Sequence, residues 1–142
     1  MAELRGNETS LFPNGNVKIC TFVKLDTTTE GYCLQAGSGD RPFGIAGPET
    51  HVMSINIAGS NLDDGYAGVA GGPAIKIYGV GSTMVPLRVV DSSVNIGDIL
   101  KPDSSGYGTV TTTSTDKVGA IARQSSTTAN TIINVDVVRF DI

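Results

Sequence analysis

The residue types that perform chemistry in proteins are few and scattered in this 142-residue chain. His51 is the one histidine, and two distant cysteines do not complete a zinc site with it. The run Asp63-Asp64-Gly65 lacks the spaced acidic ladder of a calcium loop, so it is better explained as a turn. The sequence therefore predicts no metal site and no bound cofactor.

Motifs for nucleotide binding and nucleophilic catalysis are also missing from the sequence. The glycine-rich run at 68–72 is not followed by Lys and Ser or Thr, and no GxGxxG spacing occurs. There is no GxSxG elbow. Paired glycosidase carboxylates leave no local motif, but the aromatic sugar platforms that usually accompany them are scarce, with no Trp and four Tyr. We predict no catalytic residues and a protein that is not an enzyme.

One dipeptide in the sequence is similar to the modification site of a class of carrier domains. The segment 115–118, Thr-Asp-Lys-Val, resembles the Asp-Lys hairpin of lipoyl carrier domains, whose lysine lies exposed at a hairpin tip. A carrier domain requires two similar hairpin halves, and the sequence around this segment does not contain such a repeat. We interpret Lys117 as a solvated turn residue, and lipoylation of Lys117 is the alternative.

The elements that would position any site are indicated by composition. The chain has 41 Thr, Val and Ile against seven Leu, and it has 18 Gly. β-Branched side chains suit a pleated surface, and glycine marks turns. An apolar content of 39% with 17% charge argues against disorder. We predict an all-β fold, a compact β-barrel-like domain of about nine or ten short strands with little helix.

The hydrophobic pattern predicts the boundaries within that fold. Residues 1–16 are polar and predict an extended N-terminal arm, followed by a single β domain over 17–142. Residues 17–25 and 51–57 alternate between apolar and polar, which predicts a continuous strand for each. Residues 58–73 are rich in Gly and small side chains and predict a long loop.

Charge and cysteines limit the partners and the compartment. A net charge of −4 with scattered Lys and Arg argues against nucleic-acid binding. No apolar run is long enough to predict a membrane span, and the N-terminal segment lacks the apolar region of a secretory signal. For Cys20 and Cys33 we favour two buried free thiols in a protein made in a reducing cytosol, with one disulfide as the alternative.

The order of short motifs in the second half carries a family resemblance. An apolar strand at 73–78 precedes an apolar-Gly-Asp-apolar segment at 94–100, a polar turn at 103–106, a Val-Gly-Ala strand at 118–122 and a final apolar strand at 132–137. This order resembles the capsid cement, or head decoration, proteins of tailed bacteriophages over roughly residues 70–138. The resemblance implies a β-tulip-type domain that forms a homotrimer on the outer surface of the virion head. It also implies binding to the major capsid protein and stabilisation of the expanded shell.

The resemblance also suggests contact residues. On this hypothesis Leu4, Leu11 and Phe12 of the arm contact the capsid, whereas the alternative is that the arm folds onto its own barrel. The small-residue loop would allow close approach of chains at a threefold axis. Its expected trimer contacts are Tyr66, Gly68, Gly71 and Gly72. The alternative function is a tail or fibre domain that binds a host glycan, because such domains share the Thr- and Gly-rich β composition.

Overall fold

The computed structural model describes residues 7–48 and 65–142 of the chain. None of these described residues is helical, so this part of the chain contains no membrane-spanning helix. In chain order the strands are β1 (Glu8–Pro13), β2 (Val17–Lys18), β3 (Phe22–Leu25), β4 (Tyr32–Gln35), β5 (Gly44–Ala46), β6 (Tyr66–Gly68), β7 (Ile75–Tyr78), β8 (Val85–Val89), β9 (Ile99–Pro102), β10 (Gly108–Val110), β11 (Lys117–Ala122) and β12 (Thr131–Asp141). The all-β prediction is confirmed.

The strands form two small closed barrels. The first contains β1, β4, β3, β5 and β7 in that order, and the second contains β10, β8, β12, β11 and β9. Strands β2 and β6 form a separate two-stranded sheet. Closure removes the unpaired strand edges that would otherwise invite association through the backbone.

The alternation predicted for the second half of the chain is present in the second barrel. Val85, Leu87 and Val89 of β8 are buried, whereas Pro86 and Arg88 between them are half-buried. Strands β11 and β12 pair antiparallel and supply most of the remaining core. The side chains that these two strands bury are Val118, Ala120, Ala122, Ile133, Val135 and Val137.

Residues 8–13 of the segment predicted as an arm form a strand of the first barrel. Strand β1 pairs antiparallel with β7, where Leu11 is opposite Ile75, and parallel with β4, where Phe12 is opposite Tyr32. Leu11 and Pro13 point inward and are buried, which provides the apolar face that holds β1 in place. From Glu8 onward the chain therefore folds onto its own barrel, while residues 1–6 lie outside the described part.

The predicted continuous strand over 17–25 is wrong, because the chain is interrupted at Cys20. Cys20 has a φ of 55°, in the left-handed region that a β-strand does not use. The Thr21 hydroxyl donates to the Lys18 carbonyl at 2.8 Å across the interruption. As a result β2 pairs with β6, whereas β3 pairs with β4 and β5.

The predicted long loop over 58–73 is also partly wrong. Its residues 66–68 form β6, which pairs with β2. The remaining residues of that loop up to 64, and the strand predicted at 51–57, lie outside the described residues.

The ring of Phe22 joins the two barrels. Val23 points into the core of the first barrel, whereas its neighbour Phe22 packs into the core of the second and is fully buried. A Cβ on Gly119 would lie 2.6 Å from Phe22 Cε1 and 2.6 Å from Pro42 Cγ. The pairing of β11 with β12 shifts register at this same glycine. The absence of a side chain at Gly119 is therefore what allows the ring to enter.

Hydrogen bonds from Gln35 support the same junction. Its Nε2 donates to the Thr21 hydroxyl at 2.6 Å and to the Phe22 carbonyl at 2.8 Å, and its Oε1 accepts from the Lys18 amide at 2.9 Å. The Phe22 amide donates to the Gly106 carbonyl at 2.8 Å, which connects β3 to the second half of the chain. These bonds satisfy the polar groups that the interruption at Cys20 exposes.

We predict that G119A destabilises the protein by about 1–3 kcal/mol, because the added methyl group overlaps buried atoms that have little room to move. Urea denaturation of G119A, F22L and the double variant measures this. The loss in free energy of unfolding should be smaller in the double variant than the sum of the losses in the two single variants. The reason is that the smaller side chain at position 22 leaves room for the methyl group added at position 119. Additive losses would contradict the proposed contact.

Cys20 and Cys33 are buried free thiols, as favoured from the sequence. Burial raises the pKa of both thiols from 9.0 to about 11. The unfolded chain therefore releases these protons at a lower pH than the folded chain. The raised pKa values of the two thiols therefore contribute to the free energy of unfolding below about pH 9, and this contribution is lost as the pH rises toward 11.

We predict that the free energy of unfolding decreases between pH 8 and pH 10.5, and that the decrease is smaller in the C20A/C33A double variant. Denaturation of both proteins at the two pH values separates the thiols from other groups that titrate in this range. An equal decrease in both proteins would contradict the assignment to the cysteines.

Candidate functional site

A cleft of about 590 Å³ opens where the outer face of the first barrel meets strand β12 of the second. Its wall on the first barrel comes from the end of β1, from β3 and β4, and from the segments that connect β3 to β4 and β4 to β5. Arg139 of β12 lines the opposite side. The cleft thus combines three separate parts of the chain.

Asp26 fixes one rim of the cleft. Its Oδ2 accepts from Asn14 Nδ2 at 2.7 Å, and its Oδ1 accepts from the Thr28 amide at 2.9 Å and the Thr28 hydroxyl at 2.8 Å. The hydrogen bond from Asn14, followed by those from Thr28, lowers the pKa of Asp26 from 3.8 to about 2. These bonds connect the end of β1 to the segment between β3 and β4.

Two ion pairs fix the other rim. Lys24 Nζ lies 2.9 Å from Asp40 Oδ2, which also accepts from the Gly37 amide at 2.8 Å. The Lys24 hydrogen bond is the largest cause of the lowered pKa of Asp40. The Arg41 guanidinium donates to both carboxylate oxygens of Asp141, at 2.9 and 3.0 Å, and it lowers the pKa of that carboxyl. The Arg41 pair spans from the first barrel to β12.

Arg139 is the exception among the cations of the cleft. Within residues 7–48 and 65–142 its guanidinium forms no hydrogen bond and no ion pair, whereas Lys24 and Arg41 are both engaged. The described lining contains no serine, cysteine or histidine. Arg139 is therefore the described cation of this cleft that is available to bind an anionic group.

The predicted capsid-contact residues lie in different environments. Leu11 is 8% exposed and packs in the core of the first barrel, so it is not on the surface. Phe12 is 47% exposed, and its ring centroid lies 5.6 Å from that of Tyr32. Leu4 lies outside the described residues. Of the three, Phe12 is the residue that the structure places on the surface.

The predicted trimer-contact residues have roles within their own chain. A Cβ on Gly68 would lie 2.7 Å from Ile75 Cγ2 and 2.8 Å from Pro13 Cγ, so β6 needs this glycine to pack on the first barrel. Gly71 has a φ of 76° in a turn, and the Gly72 amide donates to the Val69 carbonyl at 2.9 Å. Tyr66 is half-buried in β6.

The environment of Lys117 and the residues of the cleft were not predicted correctly from the sequence. Lys117 is the first residue of β11, opposite Asp141, and not a turn residue as predicted. The residues of the cleft were not singled out from the sequence at all. No short motif signals them, because Asn14, Lys24 and Arg139 meet only through barrel closure and the contact between barrels.

Comparison with solved structures shows a likeness of fold. No family model and no curated protein matches the chain. The fold is similar to that of a solved structure, the head fiber gp8.5 N base in bacteriophage phi29, with a TM-score of 0.61 and 10% sequence identity. The match covers 96% of this chain and 97% of the other. At this identity the two proteins share a fold across essentially their full lengths.

We predict that N14A raises the pKa of Asp26 from about 2 toward 3.8, because the carboxylate loses the bond that most favours its ionised form. NMR titration of the carboxyl carbon measures this. Since the pKa is lowered in the folded state, the associated stability is present above about pH 4 and lost as the pH falls toward 2. N16A, at an exposed residue of the same turn, should leave the titration unchanged. An unshifted pKa in N14A would refute the assignment.

Proposed function

We propose that this chain is a structural protein of a bacteriophage virion that decorates the outer surface of the head. The observation that carries this proposal is the fold likeness to a head fiber base, which extends over 96% of the chain and both barrels. The sequence resemblance to head decoration proteins supports the same role from independent evidence, since it rests on motif order over residues 70–138.

The surface chemistry fits an outer position. With a net charge of −4, the chain would be repelled by packaged DNA, whereas the outside of a capsid tolerates an acidic protein. We propose the major capsid protein as partner, a homotrimer as the bound form, and stabilisation of the expanded head as the result. Contacts repeated over a shell allow each one to be modest. No catalytic activity, metal or cofactor is part of this proposal.

Phe12 is the described residue that we propose for the capsid contact. Its ring is half exposed and lies against the ring of Tyr32, so the pair presents a firm aromatic surface. Aromatic residues are enriched at protein interfaces because they bury a large area at a small cost in side-chain entropy. Leu4 remains part of the proposal as a second apolar residue near the same end of the chain.

The test begins with particles of the phage that encodes this chain. Quantitative mass spectrometry of purified particles should give a copy number comparable to that of the major capsid protein, and light scattering of the purified chain should give a trimer. A few copies per particle would contradict decoration and favour a tail or fibre part. A monomer both in solution and on heads would contradict the trimer.

We predict that F12A lowers the affinity for undecorated expanded heads by about tenfold or more, as expected when a buried aromatic contact is truncated. Co-sedimentation with heads measures the bound fraction. F140A is the matched control, because Phe140 is similarly exposed (39%) but lies on β12 of the other barrel. Equal binding by F12A and the unmodified chain would exclude Phe12 from the contact.

A further inference from the structure

We propose that the cleft between the first barrel and β12 binds a saccharide that carries a carboxylate. This proposal does not depend on head attachment, because it rests on the charge, shape and lining of the cleft alone. It gives a ligand class to a site that neither the motifs nor the fold likeness assigns.

The free guanidinium of Arg139 indicates an anionic ligand. Lys24 and Arg41 line the same cleft but are each bound to a carboxylate, so Arg139 is the cation of the described lining that still lacks a counter-ion. A guanidinium binds a carboxylate through two parallel N–H···O bonds, which sets both affinity and orientation. The other donor that lines the cleft without a bond among the described residues is the Thr27 hydroxyl.

The two carboxylates of the lining restrict the charge of that anion. Asp26 and Asp40 lie in the same cleft, and their pKa values are lowered, so both are ionised at neutral pH. They would repel a phosphate with two negative charges more strongly than a carboxylate with one. Asp40 is already paired with Lys24, and Asp26 is held by hydrogen bonds from Asn14 and Thr28, so Arg139 is the cation left to bind a ligand. The cleft therefore suits an anion with a single charge.

The surface beside the cleft suits the apolar face of a sugar ring. Tyr32 and Leu34 of the lining are two residues apart on β4, so they share a face of the strand and lie about 6.6 Å apart. This spacing places Tyr32 beside the cleft. Aromatic rings offer a flat apolar surface for C–H groups, and nearby hydroxyls and amides suit sugar hydroxyls.

A peptide is less well matched to this cleft than a saccharide. In one common mode of recognition, an extended peptide adds a strand to an exposed sheet edge, and main-chain hydrogen bonds supply the affinity. Both barrels are closed, so β1, β3 and β4 already have partners on both sides. The volume of about 590 Å³ lies within the usual range of small-ligand sites, which is roughly 300–1,000 Å³.

The experiment uses the purified full chain and two pairs of probes. Cellobiouronate and cellobiose differ in one carboxylate, and 3′-sialyllactose and lactose extend the comparison to a second acidic sugar. We expect at least one acidic probe to shift the amide NMR signals of residues that line the cleft, with an affinity at least tenfold higher than that of its neutral counterpart. R139Q should weaken this binding about tenfold or more.

R123Q is the matched control. It changes the net charge by the same amount, at the residue that directly follows β11, the partner strand of β12, but Arg123 is bound to Asp136 and does not line the cleft. It should bind the acidic probe as the unmodified chain does, and R139Q should still bind phage heads normally. This last comparison separates failure of the saccharide site from failure of the proposed head attachment.

Three outcomes would overturn the proposal. The first is the absence of any shift in cleft residues with millimolar acidic probe, and the second is unchanged binding by R139Q. The third is tighter binding of an acetylated Gly-Glu-Gly peptide than of either acidic sugar, which would identify the cleft as a site for an acidic side chain of a protein partner.

Discussion

A buried cluster shared by the two barrels is the contact on which their arrangement depends. Phe22, Ile45 and Tyr78 of the first barrel lie in it among the core residues of the second, and the ring of Phe22 is fully buried there. Complete burial of such a side chain contributes about 1.5–3 kcal/mol. This packing requires a glycine at 119, where any Cβ would overlap the ring. Because successive residues of β3 point to opposite faces, Val23 packs in the core of the first barrel and Phe22 in that of the second.

The cleft depends on this apolar contact more than on its own ion pairs. The Arg41–Asp141 pair crosses from the first barrel to β12, but its side chains are 37% and 46% exposed. Exposed pairs of this kind contribute little stability, because water and salt screen the two charges. The buried junction therefore sets the distance between the barrels, and the ion pair adds orientation at the surface. Arg139 faces the first barrel because the junction places β12 there.

Barrel closure pairs the strand edges of a chain that is rich in β-branched residues. Each barrel pairs all five of its strands, and β2 and β6 form a separate two-stranded sheet. The side chains of a barrel strand then divide between the core and the surface, as β1 shows. Leu11 points inward and stabilises the barrel, whereas Phe12, one residue later, points outward. Side-chain alternation along one strand thus separates a residue of the core from a residue of the surface.

The sequence by itself determined the fold class and most strands of the second half. Composition and alternation predicted all-β structure, and Val85, Leu87 and Val89 share a buried face as expected. Local periodicity could show this because neighbouring residues on a strand experience opposite environments. Only the tertiary structure decided that residues 8–13 of the predicted arm form a barrel strand, that the strand over 17–25 breaks at Cys20, and that Asn14, Lys24 and Arg139 line one cleft. These features depend on which distant strands pair and on one buried ring, and such non-local contacts leave no periodic signal in the sequence.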